Sequence, residues 1–279
     1  MSKIRNALIS LSNKEDLRIL LSTLNRFKIN IISSGGTYKA IKKLKYKCTE
    51  VSEFTGSPEI LGGRVKTLHP KIHGGILNKR EDKKHRRDVK NNKITNIDLV
   101  VVNFYPFEKT IETNSNKKKI IENIDIGGPT MVRAAAKNYK DVAVITSVNQ
   151  YPALIQQLKK NNGSTSLEFR KELSQIAFTE TAYYDTIIAN YLNKDSTKKF
   201  QDKKTIQFKL IEELRYGENP HQKSAIYSHK KSLNLNQLNG KQLSYNNFND
   251  INAALTISKS LPKNTGVVIV KHANPCGVS

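Results

Sequence analysis

Ile29-Asn30-Ile31-Ile32-Ser33-Ser34-Gly35-Gly36-Thr37 is an apolar strand run that breaks on two glycines. The helical stretch that follows carries Ala40, Ile41 and Leu44. Strand, glycine turn and helix make a βα unit, and the pattern recurs on either side. Upstream, Ala7–Leu11 is a strand, Ser12-Asn13-Lys14 a polar turn, and Leu17, Leu20, Leu21 and Leu24 fall at helical spacing. Downstream, Leu99–Val102 and Val142–Thr146 are short unbroken apolar runs, as expected of strands buried on both faces. Repeated βα units predict an α/β fold on a mostly parallel sheet. Residues 79–96 are heavily charged and predict a solvated helix and loop. Ser166–Tyr191 predicts one long helix. Asn193–Lys204 is polar and nearly free of core residues, so it reads as an interdomain linker. Beyond it lie a loop-like Leu214–Gln222, a helix over Asp250–Ser260, and an apolar strand, Gly266–Val270, that runs into Lys271-His272.

The composition narrows the class. A chain of 279 residues with 37% hydrophobic content makes one large or two smaller globular domains. No apolar run approaches the ~18 residues of a membrane span, and Met1–Lys14 lacks the apolar stretch of a secretory signal. Two cysteines, Cys48 and Cys276, make no disulfide framework, which points to a reducing cytoplasm. The formal charge of +23 raises a nucleic-acid reading. The lysines are dispersed, however, and do not interleave with aromatics as a single-strand binder requires. Their abundance beside Asn and Ile resembles AT-rich codon drift. It leaves a basic surface suited to drawing in anionic metabolites rather than a specific nucleic acid.

Five motifs can carry chemistry. Ser34-Gly35-Gly36-Thr37 stands where a strand becomes a helix, so free N–H groups at the helix start can bind phosphate. Leu61-Gly-Gly-Arg-Val-Lys-Thr-Leu-His-Pro-Lys-Ile-His-Gly-Gly75 brackets Arg64, Lys66 and Thr67 with glycine pairs. Arg64 suits a phosphate fork, and Lys66 a developing oxyanion. His69 and His73 have metal-helix spacing, but Pro70 and Gly74-Gly75 argue against a helix, and no metal site is expected. Asn103-Phe104-Tyr105 follows a buried strand, where parallel sheets place ligands. Asp125-Ile126-Gly127-Gly128-Pro129 precedes a helix carrying Arg133 and Lys137 on one face. Near the C-terminus, Lys271-His272 sets a cation beside a possible base.

SLSNK, SSGGT, LGGRVKTLHPKIHGGIL, NFYPF, DIGGPTMVRAAAKN, LRYGENPHQ, LSYNNFND and VKHANPCG occur in that order. Together they resemble the bifunctional enzymes that pair AICAR transformylase with IMP cyclohydrolase. The resemblance implies a methylglyoxal-synthase-like α/β domain over residues 1–197. It would close formyl-AICAR to IMP with loss of water and no cofactor. It further implies substrate contacts from Ser12, Asn13, Lys14, Ser34, Gly35, Gly36, Thr37, Arg64, Thr67, Asn103, Ile126 and Gly127. Lys66, Tyr105, Asp125 and Lys137 would form the catalytic group, with Lys137 as proton donor and acceptor. Residues 198–279 would begin a cytidine-deaminase-like α/β transformylase domain using 10-formyltetrahydrofolate as co-substrate. There Arg215 and Tyr216 would bind nucleotide, His272 would accept a proton and Lys271 would stabilise the transition state. The family forms homodimers, and its members continue well past position 279. The expectation is therefore of a partial second domain without formyl transfer. Two other readings compete: a methylglyoxal-producing or regulatory module on the same fold, and a basic nucleic-acid binder.

Overall fold

The structure is a computed structural model that describes residues 2–198, 200–229, 233, 235–263 and 265–279; Lys199, in the expected linker, lies outside them. The chain divides into two compact units, Met1–Asp202 and Lys203–Ser279. That division falls inside the polar Asn193–Lys204 stretch rather than at 197/198.

The first unit runs β1 (Ser2–Lys3), β2 (Asn6–Leu11), α1 (Leu17–Arg26), β3 (Asn30–Ser33), α2 (Gly35–Lys43), β4 (Thr49–Glu50) and α3 (Val51–Thr55). It continues with α4 (Pro70–Leu77), α5 (Lys83–Asn91), β5 (Leu99–Asn103), α6 (Phe107–Thr113), α7 (Lys117–Glu122), α8 (Gly127–Lys137), β6 (Ala143–Ile145), α9 (Tyr151–Lys160), β7 (Ser164–Thr165) and α10 (Leu167–Leu192). Five strands form one parallel sheet in the order β4-β3-β2-β5-β6. The apolar runs sit where their sequence requires: Val100 to Val102 and Ala143 to Ile145 are buried, with helices covering the sheet. Leu17, Leu20, Leu21 and Leu24 form the buried stripe of α1. β1 and β7 pair separately and antiparallel.

Helix α10 connects two apolar clusters. Phe169, Leu173 and Ala177 join the main core, whereas Tyr184 and Ile187 join a smaller one with Phe107 and Ile120. The slim helix α8, with Ala134, Ala135 and Ala136 buried, packs against both α10 and the sheet.

Helix α4 corrects the expectation that Pro70 and the Gly74-Gly75 pair would forbid a helix. Pro70 occupies the first turn, where its missing N–H is no loss, and the His69 ring nitrogen Nδ1 accepts the Lys71 N–H at 3.1 Å as the cap. The glycines are needed for close packing. A Cβ on Gly74 would lie 2.8 Å from Ile94 Cδ1, and one on Gly75 would lie 2.5 Å from the Thr95 carbonyl oxygen.

Helices α1, α2 and α5 end alike. Lys28, Lys45 and Lys93 take left-handed φ values of 54°, 64° and 51°. Their N–H groups return to Asn25, Lys42 and Lys90, and the next N–H groups, of Ile29, Tyr46 and Ile94, reach Leu24, Ile41 and Val89. This is the paired bond pattern of a Schellman ending, with lysine in the position glycine usually fills.

The second unit has a β8 (Lys209–Glu213) and β9 (Ala225–Ser228) ribbon, α11 (Tyr245–Ser258), and a hairpin of β10 (Val268–Lys271) and β11 (Asn274–Val278). Helix α11 starts earlier than expected because Ser244 and Asn247 make a reciprocal cap. Among the described residues of this unit only Leu214, Gly217 and Ser244 are buried.

Candidate active site at the carboxyl edge of the sheet

Strand order reverses between β2 and β5, because β3 and β4 extend to one side and β6 to the other. Loops leaving neighbouring strands at such a switch point diverge and open a crevice. Asn103, at the end of β5, ties its rims together: Oδ1 accepts the Ser12 and Asn13 N–H groups at 2.7 and 2.9 Å, and Nδ2 donates to the Asn13 carbonyl at 2.8 Å. The Asn103 side chain is therefore spent on shaping the loop. Lys14 Nζ donates to the Ser12 carbonyl at 3.3 Å.

At the end of β3 the chain turns into α2 through Ser34 and Gly35, whose φ is 53°. Ser34 makes no side-chain cap, and Gly35, Gly36 and Thr37 have no intrahelical carbonyl for their N–H groups, as in any first turn. Three aligned donors at a helix start suit a phosphate. Thr37 Oγ1 instead accepts the Leu11 N–H at 2.9 Å and donates to the Leu11 carbonyl at 3.0 Å. The hydroxyl pins α2 to β2.

The 59–67 loop brings Lys66 over this turn. A Cβ on Gly35 would lie 3.2 Å from Lys66 Nζ, and one on Gly63, at φ 92°, would lie 2.8 Å from Lys66 Cε. Both glycines are therefore needed for the lysine to lie where it does. Lys66 Nζ pairs with Glu59 Oε1 at 2.8 Å. Glu59 is a residue that sequence reasoning missed, and no motif marks it. Thr67 is buried, with its hydroxyl against Gly127. Arg64 is exposed and forks onto Glu122.

Asp125 completes the group. Its Oδ1 accepts the Gly128 N–H at 2.8 Å, and the Tyr105 main-chain N–H lies near its carboxylate. Burial pushes the carboxyl above its ordinary range, against the pull of those two N–H groups. Ile126 and the Tyr105 side chain are exposed beside it. The Asp125 N–H donates to the hydroxyl of Tyr184 on α10 at 2.9 Å.

The structure does not bring Lys137 to this group. It is exposed at the far end of the 11-residue α8, roughly 15 Å along the axis from Gly127 at 1.5 Å per residue. It therefore stands at the amino edge of the sheet, where the chain re-enters at Ala143 beside Leu99. Arg133, one turn earlier on the same face, lies 5.6 Å from the Phe178 ring.

In the second unit, the Arg215 guanidinium stacks 4.8 Å from the Tyr216 ring. Lys271 ends β10, and His272 and Ala273 form the hairpin tip with φ values of 53° and 60°. Asp250 Oδ1 accepts the Ala273 N–H at 2.7 Å and holds that tip.

A parallel sheet whose switch point carries a glycine turn at a helix start, a lysine and a half-buried carboxyl is an α/β arrangement of the kind that forms ligand sites. The comparisons are specific about which class. Residues 18–130 match the MGS-like domain, and residues 135–279 match the AICARFT/IMPCHase bienzyme. The bifunctional purine biosynthesis protein PurH of Bradyrhizobium diazoefficiens is 46% identical over 99% of this chain and 53% of its own length. The PurH of Persephonella marina is likewise 46% identical, over 99% of this chain and 55% of its own. A crystal structure of ForH superposes with a TM-score of 0.61 at 30% identity, covering 68% of this chain and 99% of that one. This chain belongs to the AICARFT/IMPCHase bienzyme family, and it spans about half the length of the curated relatives it matches.

Proposed function

We propose that the first unit closes formyl-AICAR to IMP. The observation that carries this reading is the 66–67 segment, which sets Lys66 against the Ser34–Thr37 turn and Thr67 against Gly127, two residues from Asp125. The turn takes the 5′-phosphate on main-chain N–H groups. The carboxamide nitrogen then attacks the formyl carbon, forming the C–N bond of the new ring. Lys66 stabilises the charge that develops on the formyl oxygen. Asp125, which burial makes more basic than a surface carboxylate, orients the carboxamide and takes a proton from its nitrogen. The formyl oxygen leaves as water, with one hydrogen from the carboxamide nitrogen and one from the formamido nitrogen. Nothing is oxidised or reduced, so the residues suffice without a cofactor. Because ring closure is already intramolecular, holding a near-attack geometry is the main task.

In this reading Lys137 takes its expected part across copies of the expected homodimer. The second unit, in this reading, contributes Arg215, Tyr216, Lys271 and His272 to formyl transfer from 10-formyltetrahydrofolate. The test follows purine-ring absorbance with formyl-AICAR. Lys66→Ala and Asp125→Asn should each lose roughly 10²–10⁴-fold in kcat. Mixing Asp125→Asn with Lys137→Ala chains should restore part of the turnover if Lys137 acts across copies. A well-folded parent without turnover rejects the reading.

A further inference from the structure

Tyr184 lies on α10, far in sequence from every motif above, and is 5% exposed. Its hydroxyl accepts the Asp125 N–H at 2.9 Å. Its ring packs on Phe104 with centroids 5.0 Å apart and meets Phe107 edge-on at 6.3 Å. Phe104 and Phe107 flank Tyr105, whose main chain lies beside the Asp125 carboxylate. One side chain thus braces both segments beside the carboxyl: the Asp125 loop through its oxygen, and the Phe104–Phe107 loop through its ring. The smaller apolar cluster of Phe107, Ile120, Tyr184 and Ile187 anchors that brace away from the main core.

We propose that Tyr184 is a positioning residue for ring closure, fixing the Asp125 backbone so that its carboxylate faces the reacting carboxamide. The proposal rests on the ring-closure reading. Asp125 alone touches substrate; Tyr184 acts through it. A main-chain N–H aimed at a buried hydroxyl loses its partner when the oxygen is removed, and the loop then turns to find another. Displacement of the carboxylate by part of an ångström affects the transition state more than substrate binding.

The experiment compares Tyr184→Phe, Tyr184→Leu and Tyr191→Phe with the parent. Tyr191 meets Phe107 edge-on in the same cluster, with centroids 5.8 Å apart. Tyr184→Phe should lower kcat roughly tenfold with KM for formyl-AICAR within about threefold, and should speed hydrogen exchange of the Asp125 amide. Tyr191→Phe should behave as the parent in both readouts. A Tyr184→Phe chain with parental kcat and parental exchange at Asp125 overturns the proposal. So does a kcat loss seen only in Tyr184→Leu, which would assign the effect to ring packing. If the parent itself does not turn over, the ring-closure reading fails. Exchange at Asp125 still decides whether Tyr184 holds that loop.

Discussion

Replacing Gly128 with alanine tests the Asp125 geometry with a single methyl group. Gly128 has an ordinary helical backbone, so alanine suits its conformation and should gain about 0.4–1 kcal/mol from reduced freedom in the unfolded chain. The added Cβ, however, would overlap Asp125 Oδ2 and lie 2.9 Å from its Cγ. The carboxyl must swing away and lose the 2.8 Å bond from the Gly128 N–H. A hydrogen bond to a charged group contributes about 1.5–3 kcal/mol. If that geometry is needed in the transition state, kcat should fall roughly 10- to 150-fold at about 1.4 kcal/mol per factor of ten. The pH profile supplies a sign. The Gly128 N–H pulls the Asp125 pKa down, so losing it should raise further a pKa that burial has already raised, and the acid limb of kcat should move to higher pH. The assay is purine-ring absorbance over a pH series, with urea unfolding alongside. Parental kcat and an unmoved acid limb, in a variant as stable as the parent, would refute the assignment of Asp125.

Arg170 is 3% exposed and donates to the carbonyls of Tyr139, Lys140 and Thr165 at 2.6–2.8 Å. Arg170→Met should cost about 3–5 kcal/mol in urea unfolding by leaving those buried oxygens unmatched. Burial pushes the phenols of Tyr151 and Tyr184 up to about 12, whereas unfolded tyrosine ionises near 10. Their contribution to stability is complete below about pH 10 and is lost towards pH 12. Each tyrosine should steepen the fall by about 1.4 kcal/mol per pH unit, and Tyr184→Phe should halve the combined slope. Flat stability across that window would contradict this. Burial also raises the Cys48 thiol to about 11, so a thiol reagent should label exposed Cys276 first and Cys48 only slowly. Lys45→Gly, at φ 64°, should stabilise the chain by about 1 kcal/mol in thermal unfolding.

The sheet was legible because strands covered on both faces leave unbroken apolar runs: Ala7–Leu11, Val100–Val102 and Ala143–Ile145 stand almost where expected. The long α10 was legible too. Helix α4 was not, because Gly74 and Gly75 read locally as breakers, whereas their reason lies in the Ile94–Ile97 segment that crosses them. The site shows the same limit. Motifs locate the loops, but no spacing reveals that Thr37 and Asn103 spend their side chains on backbone groups. Lys137, which the resemblance placed with Lys66 and Asp125, stands a helix length away from Gly127. Tyr184 was missed because it acts across 59 residues from inside a helix that reads as packing.

The lysines at the ends of α1, α2 and α5 have a consequence beyond local geometry. A left-handed residue with a Cβ carries strain that glycine would not, so each of these three lysines costs the fold a little. Here the Schellman bonds and the apolar residue that follows, Ile29, Tyr46 or Ile94, hold the ending together despite the strained lysine. The three left-handed lysines are thus a small, repeated energetic burden. It falls on the ends of helices and leaves Gly35 and Gly63, beneath Lys66, in place.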